Sequence, residues 1–492
     1  MLDVQLGEVL GGDPAGVGEA LDLVTGFDGA LALGLARLGE ESGAALAALA
    51  GGLAAGPMGE RLGEAVEKVA AGSVGDEHLA VLAGGRAALF GAIHDALLGR
   101  LDEALGRTRS PWPVVGEAPA QDASAEDASA QDASAQDASA QGGDLATGTG
   151  GNAEQLLGGV RVWLRELAIV GWRGVDHDLL SAADQTIEAL LAQPALRGLA
   201  VLLDGLTAEL RASSPVATME HLPARRWADL WTRALLLSQR GPWHGGGAER
   251  VSGRLLVLGA DVHEHATVVR VQVHGILEPA GGAPSRLVRT SVAAAKVDTI
   301  VGPAVWGLLG GHPVLLTALA EHRTVEIADM PLLPGGDLVW YDDRARTGEE
   351  ADPFATARVQ LAAAVAPSAA PLDRHPVRIA EPVLIEGYKT DGRTLDLGGN
   401  TLTVDLDRLP ACGPLTPELV AASSACLGLM RWDGQWSLQP LAVQATVKKK
   451  PVTVHNGDWA LGPTDPKVVK ALAKSGDAVA VLRERAGRLL RR

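Results

Sequence analysis

The sequence predicts a multidomain α+β protein: an N-terminal helical bundle, a disordered linker, a second helical bundle and a C-terminal β-rich domain with short helices. Three observations carry this. Apolar residues recur at steps of three and four up to about residue 240 and alternate thereafter, which is the change from a helical to a strand period. Between the two helical stretches, residues 120–141 read AQDASAEDASAQDASAQDASAQ, a five-residue repeat with no aliphatic side chain beyond Ala. Such a segment buries too little apolar surface to offset backbone ordering, about 1–2 kcal/mol per residue. Charge is also unevenly placed. Residues 1–150 hold 7 Lys and Arg against 23 Asp and Glu, most of the net −17 of the chain, so the front is acidic and the rest near neutral.

The expected divisions are an acidic helical domain over 1–110, a linker over 111–152 and a helical domain over 153–245. A β-rich domain follows over 246–345, then a linker with a short helix over 346–375 and a β-hairpin domain with terminal helices over 376–492. The two helical stretches are expected as separate bodies on a tether. In the first, Asp76 reads as an N-cap for a long helix carrying Leu79, Leu82, Leu89, Phe90, Ile93, Leu97, Leu101 and Leu105 on one face, with Gly106 as its stop. Helices over 19–27, 30–53 and 58–70 should pack on it. His94 reads as a partly buried histidine bonded to a neighbour. After the linker, helices are expected over 154–170 and 178–191, then from Pro194, and over 224–241. The last sets Trp227 and Trp231 inward and lets Arg225 reach Asp229 one turn on.

From Arg250 the runs VSGRLLVLG, ATVVRVQVHGILE and RLVRTSVAA form a meander, interrupted by helices over 303–309 and 313–322. Asp391-Gly392 and Asp433-Gly434 each mark a hairpin, the second with Trp432 and Trp436 flanking its tip. Two helices close the chain, one starting near Pro466 and one over 477–492.

With 492 residues and 47% hydrophobic content there is material for several cores. The blandest run, residues 44–56, is too short and too rich in Gly to span a bilayer. The N-terminus lacks a basic start followed by an apolar run, so the expected location is the cytoplasm. Cys412 and Cys426 lack metal-ligand spacing and read as ordinary thiols. The sequence contains no GxxxxGK[ST], GxSxG or HExxH, so phosphate-loop, serine-elbow and zinc-protease chemistry find no support. No catalytic, cofactor-binding or metal residue is assigned.

Two polar clusters stand out, and each has a plain structural reading. Asp261, His263 and His265 at alternate positions would share one face of a strand, a geometry able to hold a divalent metal, but nothing completes the ligand set. They are expected as a polar strand-to-strand turn. Lys448, Lys449 and Lys450 open a stretch to residue 492 with 11 Lys and Arg against 4 Asp and Glu. Only Trp459 lies near to stack a base, so docking on the acidic front or on a partner protein is favoured over nucleic acid.

At RRWADLWTRALLLSQRG, RVSGRLLVLGADVHEH and LLPGGDLVWYDD the chain resembles a group of uncharacterised bacterial proteins associated with gene clusters for a MoxR-type AAA ATPase, a von Willebrand A protein and a SWIM zinc-finger protein. The resemblance covers residues 150–345. It implies an accessory role beside a chaperone-like ATPase and carries no residue role with it. The chain has neither the ATPase loop nor the DxSxS motif of a von Willebrand A domain. The functional expectation is a non-enzymatic cytoplasmic adaptor acting on protein partners, the ATPase or the von Willebrand A protein among them, and not on membranes. One alternative is an enzyme with its site between the helical and β-rich bodies, and another is a nucleic-acid-associated protein using the basic C-terminal region.

Overall fold

The computed structural model describes residues 6–7, 9–113, 150–239, 247–475 and 479. Residues 114–149 of the expected linker, with the whole repeat, and the expected helix over 477–492, apart from Val479, lie outside the described residues; residues 150–152, expected in the linker, already belong to a helix.

Among the described residues, the helices before residue 114 with full bounds are α1 (Val17–Leu33), α2 (Glu40–Gly52), α3 (Gly59–Ala70) and α4 (Asp76–Leu105). The helix expected over 30–53 is broken, and the cause is a close crossing of two chain segments. Gly34 has φ +92°, and a Cβ there would lie 2.6 Å from the Ile169 carbonyl oxygen; a Cβ on Gly171 would lie 2.3 Å from the Gly34 nitrogen. Only glycine tolerates both demands. Just beyond, the Leu35 amide donates to the Ala168 carbonyl at 2.8 Å. α4 ends at Gly106 in the left-handed conformation as expected, but Asp76 is its first helical residue and pairs with Arg165 at 3.1 Å instead of capping. By length and composition α4 could cross a membrane. In this fold its leucines fill a core and Arg86 on it is buried and paired.

After residue 149 come α5 (Gly150–Val170), α6 (His177–Ser181), α7 (Asp184–Leu191), α8 (Arg197–Ala212) and α9 (Ala224–Leu237). Trp227 and Trp231 are fully buried, and the Trp231 Nε1 donates to the Leu164 carbonyl at 2.9 Å. Arg225 reaches Thr25 on α1 at 2.8 Å, while Asp229 faces Arg86 of α4 at 2.6 Å. Phe27, Leu31 and Phe90 belong to the same buried cluster as Leu164, Trp172, Trp227 and Trp231. The two helical stretches, expected as separate bodies, therefore share one core. An amphipathic stripe must be covered by something, and periodicity does not say by what.

The β-rich region opens with β1 (Glu249–Glu264), β2 (Val268–Pro279) and β3 (Arg286–Ala295), the expected meander. A 3₁₀ turn over Gly302–Leu309 and α10 (Pro313–Ala320) lead to β4 (Arg323–Leu332), the two-residue β5 (Asp337–Leu338) and β6 (Ala345–Glu350). The order β1-β2-β3-β5-β4 closes through pairing of β1 with β4, and β3 runs parallel to β5. This is the connectivity of a five-stranded OB-type barrel. Its interior and end are filled by Val271, Val273, Val325, Trp306, Leu315 and their neighbours.

After α11 (Pro353–Gln360) the second sheet contains β7 (Glu381–Glu386), β8 (Lys389–Thr390), β9 (Thr394–Asp396), β10 (Thr401–Val404), β11 (Ser423–Trp432), β12 (Trp436–Val447) and β13 (Lys450–His455), with α12 (Pro417–Ala421) before β11. The order is β7-β11-β12-β10-β9-β8, with β13 also on β12. Both marked hairpins form, with Gly392 at φ +90°, Gly434 at φ +75° and Trp432 opposite Trp436. α13 (Pro466–Ser475) begins at the expected proline.

The strand period decides the layering. Cys426 and Met430 belong to the helical core, whereas Ala425, Leu427 and Ala442 pack with Leu256, Leu258 and Ile276 of the barrel and Phe354 of α11. The second sheet is thus a middle layer. Residues 108–110 further stitch the layers together: the Ser110 amide donates to Ala366 at 2.9 Å, and the Leu287 amide of β3 donates to Val365 at 2.9 Å. Glu381 lies 3.1 Å from both Arg107 and Arg109 at this seam.

Candidate functional site: the cleft beside the β1–β2 turn

β1 ends among polar side chains because its last residues meet β11 and β12, interior strands of the second sheet. Asp261 and His263 share a face, as alternation requires, and His263 Nε2 lies 2.8 Å from Asp261 Oδ2. His265 lies one residue past the strand and is exposed, so the structure joins two of the three singled-out residues and leaves out the third. Asp261 is 1% exposed. Its second oxygen accepts from Gln439 of β12 at 2.6 Å, and Arg431 of β11 donates to its first at 3.0 Å. Arg431 also donates to the Gln439 side chain. Burial alone would push the Asp261 carboxyl up; His263, through its hydrogen bond and charge, and Arg431 outweigh it and hold the group at about 2. Asp261 is therefore an ionised anchor between barrel and sheet. Nearby, Asn456 donates to the carbonyls of Ala260 and Pro440 at 3.3 and 3.2 Å, reinforcing the same join.

Asp261 and His263 form one wall of a cleft of about 480 Å³, completed by Glu264, His265, Lys296, Asp298 and residues 407–411. Lys296 is buried, and its ammonium donates to Glu264 at 2.8 Å and to the Ile300 carbonyl at 2.9 Å. Asp298, Asp407 and Arg408 are exposed at the rim. Among the described residues no group of three or more His, Cys, Asp or Glu could hold a metal ion. Cys412, behind the cleft wall, and Cys426 are both buried, and burial pushes each thiol up to about 12, which keeps it protonated and unreactive.

Sequence reasoning missed Arg431 and Gln439, although both are polar positions within strands whose neighbours are buried, which is the signal that marks an internal polar join. It also missed Arg86, 1% exposed on an apolar helix, with Nε 2.6 Å from Asp28 and Nη1 2.6 Å from Asp229. The predicted basic knot, Lys448 to Lys450, forms the exposed turn from β12 into β13. No family model, curated protein or solved structure matches this chain.

Proposed function

We propose that this chain is a non-enzymatic cytoplasmic accessory protein that works through contacts with other proteins. One observation carries the reading: the chemistry-bearing groups deepest in the cleft are committed to each other. Asp261 spends both oxygens on His263, Arg431 and Gln439, and Lys296 is held by Glu264 and a carbonyl. General acid–base or nucleophilic catalysis needs a group poised to exchange a proton or electron pair with a substrate. Here Asp261 joins two sheets, and the Lys296–Glu264 pair ties the end of β1 to the segment after β3.

The architecture is consistent with a scaffold, since helices, middle sheet and barrel share continuous packing. The resemblance to proteins associated with MoxR-type ATPase and von Willebrand A gene clusters suggests the class of partner. A nucleic-acid role is disfavoured because the barrel's outer strands, at Leu256, Ile276 and Leu287, are covered by α11 and the second sheet. OB-type barrels bind oligonucleotides through their exposed strand face and adjoining loops.

Affinity purification of the full chain from its native host, with mass spectrometry, tests the proposal. An ATPase of this class or a von Willebrand A protein should be enriched at moderate salt. Recovery of the chain alone, with and without cross-linking, would overturn it. A second reading, an enzyme, has one observation in its favour: His265, Asp298 and Asp407 line the same cleft as exposed side chains. It requires a small molecule bound there, detectable by native mass spectrometry of the chain exposed to host metabolite extract and lost in Asp298→Asn/Asp407→Asn.

A further inference from the structure

The turn from β12 to β13 is made by residues poorly suited to it. Val447 pairs with Lys450, which leaves Lys448 and Lys449 as a two-residue loop, and both have positive φ, 51° and 67°. Two-residue hairpin loops of this kind favour Asn-Gly or Asp-Gly because both central residues sit in the left-handed region, where a Cβ crowds the following carbonyl. The Asp391-Gly392 and Asp433-Gly434 turns of the same sheet place glycine at positive φ. At the third hairpin the chain instead holds two lysines in that conformation, with Lys450 directly after them, and all three are exposed.

Backbone strain persists where the surrounding structure enforces it, and it concentrates at sites of recognition. We propose that this turn is a rigid cationic finger that binds a short acidic segment of a protein partner. The inference rests on the protein-contact reading above and names the chemistry of one contact. A tight hairpin fixes the backbone from which three ammonium groups project, so less ordering remains to be done on binding than for a lysine-rich tail.

The remaining charge of the chain selects among polyanions. Most of the net −17 lies in residues 1–150 of the same molecule, so a nucleic-acid duplex extending beyond the turn towards that acidic part would meet repulsion, whereas a short peptide touches only what lies within a screening length of about 8 Å. The tryptophans of this region offer the turn no stacking platform: Trp432 and Trp436 are buried at the opposite end of β12, and Trp459, half-buried, lies beyond the end of β13.

The test uses the full chain, a fluorescent octaglutamate peptide, a short DNA duplex and two variants. Lys448→Asn/Lys449→Gly removes two charges and relieves the strain; Lys448→Gln/Lys449→Gln removes the charges and keeps it. Both variants should bind octaglutamate about five- to tenfold more weakly than the wild type, as loss of two exposed charge contacts implies. The Asn-Gly variant should also melt at a higher temperature than either of the others. Wild-type binding should weaken as salt rises. Unchanged octaglutamate affinity in both variants would overturn the proposal, as would an Asn-Gly variant that melts no higher than wild type. Tighter binding of the duplex than of octaglutamate, lost in both variants, would overturn the class of partner. If the Gln variant still captures host proteins as the wild type does, the accessory reading survives and the finger does not.

Discussion

Replacing Arg86 with Met would leave Asp28 and Asp229 in the helical core without the guanidinium between them. Arg86 donates to both oxygens of Asp28 at 2.6 and 3.0 Å, meets Asp229 at 2.6 Å and lies 4.8 Å from the centre of the Phe90 ring. Asp229 would keep His375 at 3.3 Å, but Asp28 would lose both of these hydrogen bonds. Removing one partner of a buried ion pair costs about 3–5 kcal/mol, because the other charge stays desolvated and unpaired. That is a large share of the ~5–15 kcal/mol by which a domain is stable. The loss should also depend on pH. Burial pushes the Asp28 carboxyl up to about 6 even with Arg86 opposing it, and without Arg86 it should rise further. A carboxyl raised in the fold binds more protons there than in the unfolded chain, so stability falls as pH rises towards the folded value. Arg86→Met should therefore lose more at pH 8 than at pH 5.5. Urea unfolding followed by tryptophan fluorescence reports on this core, since Trp227 and Trp231 are buried in it. Arg86→Met/Asp28→Leu should recover at least about 2 kcal/mol by removing the orphaned charge. A single-variant loss below about 1 kcal/mol, or a double variant no better than the single, would refute the buried-charge reasoning.

Cutting the chain at a protease site engineered within residues 120–141 should leave two fragments that co-elute in gel filtration at high as well as low salt, because their shared core is apolar; separation in native buffer would count against that core. Gly34→Ala should cost at least about 1 kcal/mol by chemical denaturation, since its φ is +92° and a Cβ would meet the Ile169 oxygen; a neutral effect would mean the crossing can open. Burial, helped by neighbouring His322, lowers His455 to about 4 from 6.5. Its contribution is complete above pH 6.5 and lost as pH falls through 4, up to roughly 3 kcal/mol, so His455→Phe should flatten the stability profile over that window. An unchanged slope would rule the residue out as its source. Asp261 behaves differently: held at about 2 against 3.8, it contributes roughly 2 kcal/mol that is complete above pH 4 and lost as pH falls through 2. Asp261→Asn should be less stable than wild type near neutrality, with the gap closing on acidification; a constant gap from pH 7 to 2 would contradict the anchoring role.

Local matters were legible in the sequence because the local chain decides them. The period of three and four fixed α4 and its leucine face, Pro466 opened α13, and the two Asp-Gly pairs placed hairpins where glycine is free to adopt positive φ. The burial of Trp227 and Trp231 followed from their spacing on one helical face. The lysine hairpin went unread because its residues oppose the conformation they adopt.

What the sequence could not supply is which stripe covers which. The break at Gly34 exists because Gly171 passes against it, a contact between residues 137 positions apart. Arg86 is tolerable inside a helix only because Asp28 and Asp229 arrive from two other helices. Asp261 and His263 were legible as a pair on one strand face, yet their role was settled by Arg431 and Gln439 of a different sheet. A side chain's hydrophobic period is a property of its own segment. Its partner, its charge state and its role belong to the packing that brings distant segments together.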